Sequence, residues 1–586
     1  MEERADRWIA ELEALRLRHP EFPSQTAELR TYWAMGTLLH RQPQHPLLPA
    51  WSERALILLD QAADHDLSVL LGGYLVIYFL WWGDAAKAWE VIERLATRAH
   101  APHVSPMVYI LWSCAVALYH SVHGAQEACL KSVEDGLARA RRTGLHCWDF
   151  LLSAQAVRGS LVAGDLASAS TWMSAMANTM RSHSHIDGAF YGHLQSNAAA
   201  QRDDWHAAVE HARSALVMAI EAGAPFVEAH CRIDLARALL GRGDDTEWAE
   251  HLRAARTIGR AMGSPLLEYH CLETEAQAAF QRGQDGTGLD RLTQALALGR
   301  GMGGATWLLA GPRVSARLYD RALAAGIEVD HVQRLIRRRR LTAPDPTLAA
   351  DDWPWPVKVY TLGRFDLIVD GVPLRVADKG QKKPLELFMA LIALGGRQVP
   401  QTRLADLLWL DAEGDAAYRA LITTLQRLRR LLGEPRAITF HDGCLSLDGR
   451  QVWVDAWAFE RVLGKTAQPQ EQDALSNVER ALRLYHGPFL RPIDPPWVVA
   501  PASGCVPGIC NICSPSAART RPKATGRRPI RGTSAGSRPM SSSRRSTSAS
   551  SAATSTWGAR PRRAPPVSAA GASWPPHSGP RHRQRP

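Results

Sequence analysis

Three features of the sequence predict a mainly α chain of several domains. Glycines recur every 40 residues between Ala- and Leu-rich helical segments within the first 340 residues. The hydrophobic period changes from helical to alternating at Val357, and every Leu, Phe, Tyr, Asp and Glu is missing after Pro501. The expected order is an α-solenoid over 1–340, a linker over 341–356, a small α+β module over 357–455, the start of a second helical region over 456–500, and a disordered basic tail over 501–586.

The solenoid follows from self-similarity. A shift of 40 residues aligns Gly223, Gly263 and Gly303, aligns Gly243 with Gly283, and superposes Glu228-Ala229-His230-Cys231 on Glu268-Tyr269-His270-Cys271. Segments such as WHAAVEHARSALVMAIEAG and EWAEHLRAARTIGRAMG lie between the glycines, giving helix, turn, helix, turn. Weaker copies occur at Gly83-Asp84, Thr143-Gly144 and Gly164-Asp165. A stack of this kind leaves an extended concave surface suited to a peptide, protein or small effector. The pattern resembles tetratricopeptide-type repeats of longer than standard period, as in the sensor regions of large bacterial transcription activators. The recurrence of His230, Cys231, His270 and Cys271 is explained by repeat packing rather than metal binding, and a metal reading of His183 and His185 in the loop SHSHID is likewise set aside.

No secretory signal precedes Trp8, and the nine cysteines are scattered, so a reduced cytoplasmic protein is the expectation. The uncharged run Leu67 to Gly83 is at the lower limit for a bilayer span. Gly72 and Gly73 interrupt it, and GDAAKAWEVIERL reads as the next helix of a soluble hairpin. No membrane partner is expected. The net charge of +11 is unevenly placed: 15 of the 69 Lys and Arg residues lie in 501–586, leaving 54 against 58 acidic residues, a net of −4, in the first 500. Charge on the folded part as a whole therefore gives no argument for a polyanionic partner.

The module is read from its punctuation. VKVYTLG, FDLIVDG and VPLRV are short alternating runs separated by Gly363 and Asp370-Gly371, which predicts a small antiparallel sheet. Lys379, Lys382 and Lys383 precede Pro384 and the buried helix PLELFMALIALGG. A second helix, QTRLADLLW, follows the extended RQVP. In Asp415 to Leu432, Leu421, Leu425, Leu428 and Leu432 recur at helical spacing, with Arg419, Thr423, Gln426, Arg427 and Arg430 on the other side. No Asp or Glu occurs between Ala416 and Gly433, so this helix presents a basic face; a merely basic surface helix is the rival. AITFHDGCLSL then forms a hairpin at Asp442-Gly443. Strands, three helices and a terminal hairpin form the order of a winged helix-turn-helix.

The segments YTLGRFDLIVDGVPL, KPLELFMALIALGGRQVP, LADLLW, ALITTLQRLRRLLG and VWVDAWAFERVL resemble the response-regulator-type winged helix of the antibiotic-regulatory-protein transcriptional activators. That resemblance implies double-stranded DNA as partner, with the third helix in the major groove. It places Arg419, Thr423, Thr424 and Arg427 at bases, with Gln426 and Arg430 near phosphates. Lys382, Lys383 and the wing at His441 are weaker candidates for backbone contact. Residues 454–490, with DAWAFERVL and ALRLYHGPFL, resemble the start of the bacterial transcriptional activator domain, which assists dimerisation or polymerase contact. The large activators sharing this architecture often carry an NTP-hydrolysing module before the solenoid, which is absent here; the chain reads as a compact or an N-terminally truncated member.

The tail lacks the residues a core needs. Its abrupt start in mid-domain suggests translation of a GC-rich gene in the wrong frame, a genuine basic tail being the rival. Cys505, Cys510 and Cys513 supply only three ligands, Gly532 to Gly536 matches a nucleophile elbow without its strand and helix, and Gly464-Lys465-Thr466 lacks the first glycine of a phosphate loop. No catalytic, cofactor-binding or metal-ligating residue is assigned. The sequence thus predicts a regulator that binds promoter DNA, with a protein or small-molecule effector on the solenoid, RNA polymerase as a partner and a homodimer on DNA. A repeat scaffold without productive DNA binding is the alternative, and an enzyme is not expected.

Overall fold

The computed structural model describes residues 2–36, 41–61, 64–181, 184–244, 246–303, 311–345, 349, 352–374, 381–412, 414–466 and 471–490. The tail and its cysteines, His183 and Lys379 lie outside these residues. The chain is mostly helical, with consecutive helices densely packed as in a helical-repeat solenoid.

The solenoid helices are α1 (Glu2–Arg18), α2 (Gln25–Met35), α3 (Leu48–Leu58), α4 (His65–Trp81), α5 (Ala85–Ala99), α6 (Pro106–Val122), α7 (Gln126–Thr143), α8 (Asp149–Ala163) and α9 (Leu166–Thr179). They continue as α10 (His185–Gln201), α11 (Trp205–Glu221), α12 (Pro225–Arg242), α13 (Trp248–Met262), α14 (Pro265–Gln281), α15 (Asp285–Gly301), α16 (Pro312–Ala324) and α17 (Val329–Arg338). From α4 to α16 each even-numbered helix packs on the next even-numbered one as well as on its sequence neighbours, which makes two layers. The outer helices bury one stripe; in α13 it is Leu252, Ala255, Gly259 and Met262, at helical spacing. The inner helices are buried nearly all round, and α8 buries every residue from Leu152 to Val162.

The glycines of the 40-residue repeat are the turns themselves. Gly223, Gly263 and Gly303 have φ of 57°, 64° and 67°, a left-handed conformation that an L side chain adopts only under strain. They form a row, and the row receives the turn between α4 and α5. Arg41 Nη1 donates to the Gly223 carbonyl at 3.2 Å, Trp82 Nε1 to the Met262 carbonyl at 3.0 Å, and Ser264 Oγ to the Trp81 carbonyl at 2.8 Å. The Trp81 ring stacks on Phe226, with centroids 3.9 Å apart and planes 12° from parallel. Farther along, Arg313 of α16 pairs with Asp203 at 2.7 Å. These contacts draw the superhelix in on itself. At this seam the open concave surface expected from the repeat pattern is replaced, among the described residues, by contacts between distant turns.

The apolar run at 67–83 is the buried inner helix α4 with its turn. The helix runs unbroken through Gly72 and Gly73; a Cβ on Gly72 would lie 2.1 Å from Leu95 Cδ1, so the glycine permits close approach of α5 instead of a break. Among the described residues no helix is long and apolar enough to cross a membrane.

The module begins with β1 (Val357–Tyr360), β2 (Asp366–Val369) and β3 (Val372–Pro373), followed by α18 (Lys382–Ala393), β4 (Val399–Pro400), α19 (Gln401–Leu408) and α20 (Gly414–Leu432). A hairpin of β5 (Ile438–His441) and β6 (Cys444–Leu447), then β7 (Val452–Val454), α21 (Asp455–Thr466) and α22 (Glu471–Leu484) complete it. One sheet has the order β3-β2-β1-β7, the other β4-β6-β5. β7 pairs parallel with β1, Val357 opposite Val452, closing the first sheet across nearly a hundred residues. Asp455 fixes that closure: its buried carboxylate accepts from the Thr361 amide (2.7 Å), the Thr361 hydroxyl (2.6 Å) and the Leu362 amide (3.0 Å).

Solenoid and module share a core. Trp353 and Trp355, from the expected linker, are buried with Tyr319, Leu335 and Ile336 of the last solenoid helices and with Trp453 of β7 and Ala458 of α21. Gln333 Nε2 donates to the Asp352 carbonyl at 2.8 Å, and Arg480 Nη2 to that of Ala349 at 2.9 Å. Trp353 is fully buried, so Trp353→Ala is expected to destabilise the chain by about 3 to 5 kcal/mol in urea unfolding. A loss below about 1 kcal/mol would show that the junction contributes little.

Candidate nucleic-acid interface

The longest helix of the module, α20, has 19 residues and is amphipathic by construction. Ala417, Leu421, Thr424, Leu425, Leu428 and Leu432 are buried, the leucines in one core with α18 and α19. Gly433, at φ 64°, ends the helix. Arg429, at the edge of the buried stripe, donates from Nη2 to the Ile438 carbonyl at 3.0 Å and ties the helix to the first strand of the hairpin. Asp442 and Gly443 at the hairpin tip both have positive φ, 48° and 71°, as a type I′ turn requires.

The outer face carries most of the expected contact residues. Arg419, Thr423, Gln426, Arg427 and Arg430 are all exposed. Arg419 Nε donates to the Asp415 carbonyl at 3.2 Å and Thr423 Oγ1 to that of Arg419 at 2.9 Å, which holds this part of the stripe against its own helix. Among the described residues no carboxylate forms an ion pair with Arg419, Arg427 or Arg430, so their charge is not neutralised within the chain.

Thr424 requires correction. It is expected at a base, yet it is buried, 7% exposed, between Leu421 and Leu428. The leucine spacing marks the centre of the inward stripe but not its width, and position 424 falls three residues after Leu421 and four before Leu428, inside it.

The weaker candidates divide. Lys382 is exposed at the start of α18. Lys383 already pairs with Glu386 at 3.0 Å and lies 5.3 Å above the Trp409 ring. His441 is exposed at the tip with the Asp442 carboxylate 2.9 Å from Nδ1, so a neighbouring negative charge opposes any anion there. Two residues that sequence reasoning passed over belong to the same surface type. Tyr418 is 44% exposed beside Arg419, and Arg403 is exposed on α19. Arg403 could have been found, since Leu404 and Leu408 fix the inward face of its helix.

His230, Cys231, His270 and Cys271 are all buried in the inner wall of the solenoid, as repeat packing requires. Among the described residues no group of three or more His, Cys, Asp or Glu is arranged to hold a metal ion.

Neighbouring threonines provide a sharp test of the orientation of α20. Thr423→Asp is expected to change stability by no more than about 0.5 kcal/mol, whereas Thr424→Asp, which buries a carboxylate among leucines, is expected to cost at least about 2 kcal/mol in chemical denaturation. Equal costs would mean that the helix is rotated about its axis.

No protein-family model and no curated protein matches the chain. Among solved structures, aspartyl phosphate phosphatase F from Bacillus subtilis is similar, with a TM-score of 0.31 and 8% identity over 72% of this chain and 98% of that one. The helical-repeat description rests on the packing of the helices themselves.

Proposed function

We propose that the chain is a DNA-binding transcriptional regulator, working in the cytoplasm as an activator, whose module acts as a winged helix-turn-helix with α20 as its recognition helix. The observation that carries this reading is the outward stripe of α20: three arginines without carboxylate partners, interspersed with Thr423 and Gln426, on a helix anchored to a tight hairpin. A helix of this kind fits the major groove of double-stranded DNA, and arginine, threonine and glutamine are the side chains that hydrogen-bond base edges there.

Arg419 and Arg427 are assigned to bases together with Thr423. Gln426, Arg430 and Lys382 are assigned to phosphates, and the hairpin tip at His441 approaches the backbone mainly through main-chain groups, since Asp442 accompanies it. Arg419 must unfold from the Asp415 carbonyl to reach a base, a small rearrangement of an exposed side chain. The solenoid receives an effector or protein partner, and α21 with α22 contributes to contact with a second copy or with RNA polymerase. No step of this scheme needs a cofactor or a catalytic residue.

Footprinting of the full chain on genomic DNA checks the reading. A bidentate arginine at guanine discriminates by about 1 to 3 kcal/mol. Arg419→Ala and Arg427→Ala are therefore each expected to weaken specific sites by about 5- to 150-fold and to relax the preference at one base pair. Arg430→Ala is expected to weaken all sequences alike and to lower the salt slope by about one. Salt-sensitive, sequence-blind binding that is indifferent to the first two substitutions would overturn the assignment.

A further inference from the structure

The inner wall of the solenoid carries a line of ionisable groups where the repeat would otherwise place apolar ones. The imidazoles of His193 on α10, His230 on α12 and His270 on α14 form a column, with centroids 6.3 and 6.1 Å apart. All three are buried. Around them, Asp234 Oδ2 takes hydrogen bonds from His193 Nδ1 and from Asn197 Nδ2 at 3.0 Å. Arg237 donates to Glu273 Oε2 at 2.7 Å and to Thr274 Oγ1 at 2.9 Å, and His270 Nδ1 lies 3.7 Å from the same Glu273 oxygen.

His230 differs from the other two. Its Nδ1 donates to the Phe226 carbonyl at 2.9 Å, so an added proton would go to Nε2. The ionisable side chains that act on it are His270 from α14, His193 from α10 and Arg158 from α8. Of the carboxylates of this cluster, Asp234 is held through Oδ2 by His193 and Asn197, and Glu273 by Arg237 and His270. Elsewhere on α12, Glu228 and Arg232 pair with each other at 2.8 Å on its part-exposed side, Arg242 pairs with Asp244 at 2.8 Å, and burial holds the Cys231 thiol well above its ordinary value. Neighbouring α11 and α13 pack here through alanines and leucines such as Ala212, Leu216, Leu252 and Ala255. Burial pushes the His230 imidazole well below its ordinary value of 6.5, and the neighbouring His270, His193 and Arg158 push it the same way, against the hydrogen bond to the Phe226 carbonyl. Burial also lowers His270, although Glu273 acts against the shift.

His230 is coupled by contact to the closure of the superhelix. Its ring lies 4.3 Å from that of Phe226, and Phe226 carries the stack with Trp81 that seats α4 on the row of turns. We propose that the solenoid is a proton-gated ring, in which charging of His230 opens the seam at Trp81 and Phe226 and releases the N-terminal helices from the turns at Gly223 and Gly263. This regulation belongs to the solenoid alone and does not depend on the assignment of α20 to DNA.

The direction with pH follows from linkage. A histidine whose folded pKa lies below its unfolded value stabilises the closed form above about 6.5, and that stabilisation is lost as pH falls from 6.5 towards the folded pKa. One such group increases the open population by about tenfold per pH unit through this window.

Amide-exchange protection of residues 76–83 and 225–234 in the full chain, with the radius of gyration from X-ray scattering and far-UV circular dichroism, gives the test between pH 8 and 5. In the unsubstituted chain, protection of both segments is expected to hold above pH ~6.5 and to fall by about tenfold per unit below it while helicity is retained. His230→Phe is expected to keep the protection about one unit further into acid. His230→Arg, whose guanidinium stays charged even when buried, is expected to show low protection and a larger radius at pH 8. Unchanged protection of the parent chain at pH 5 would overturn the proposal. So would a parallel loss in His230→Phe, or, where that variant does not fold, full protection of His230→Arg at pH 8.

Discussion

The seating of the α4 to α5 turn on the row of glycine turns is the constraint on which the rest of the architecture depends. A solenoid built only from nearest-neighbour contacts can stretch or unwind at modest cost, since each repeat touches only the next. Here the Trp81 stack on Phe226, the Trp82 hydrogen bond to Met262 and the Ser264 hydrogen bond to Trp81 join helices separated by about 150 residues or more. That long-range closure turns a one-dimensional array into a ring, and it explains why the inner helices are buried on all sides. Among the described residues it also fills, at this seam, the groove that the repeat pattern implied, so the partner proposed for the solenoid would have to meet the outer helices, the rims or an opened form.

Burial of Asp234, Arg237 and Glu273 in that wall is costly unless their charges are compensated. Compensation is arranged between repeats: α10 serves α12 through His193 and Asn197 at Asp234, and α12 serves α14 through Arg237 at Glu273, whereas Arg158 donates to Gln155 of its own helix. Removing a single member would leave a charge in a low-dielectric interior, a larger loss than deletion of a surface pair. The chain thus accepts lower stability than a leucine wall would give in exchange for interactions that depend on the spacing of its repeats.

Much of this was legible in the sequence, and the limits have physical reasons. The 40-residue glycines and Asp442-Gly443 could be read because left-handed turns admit few residue types. The stripe of α20 could be read because its leucines repeat at helical spacing, but the threonine between them could not be oriented, as Thr is tolerated on either side of such a boundary. The strand Val452–Val454 was not read as a sheet member because its partner lies nearly a hundred residues earlier, and local alternation over three residues carries no such information. The ring closure was invisible for the same reason. The burial of Arg158 and Arg237 is hidden in a different way: periodicity assigns charged residues to solvent, whereas the inner helices place these two inside.

The burial of Trp353 and Trp355 gives the connection between solenoid and module an unexpected mechanical character. A proline- and aspartate-rich connector that stayed in solvent would act as a tether, and the module would sample a volume set by its contour length. Trp353 and Trp355, packed with Tyr319 and Trp453, instead pin the described part of the connector to both neighbours. The orientation of the β1 to β7 sheet on the last solenoid helices is then set by packing and not by contour length.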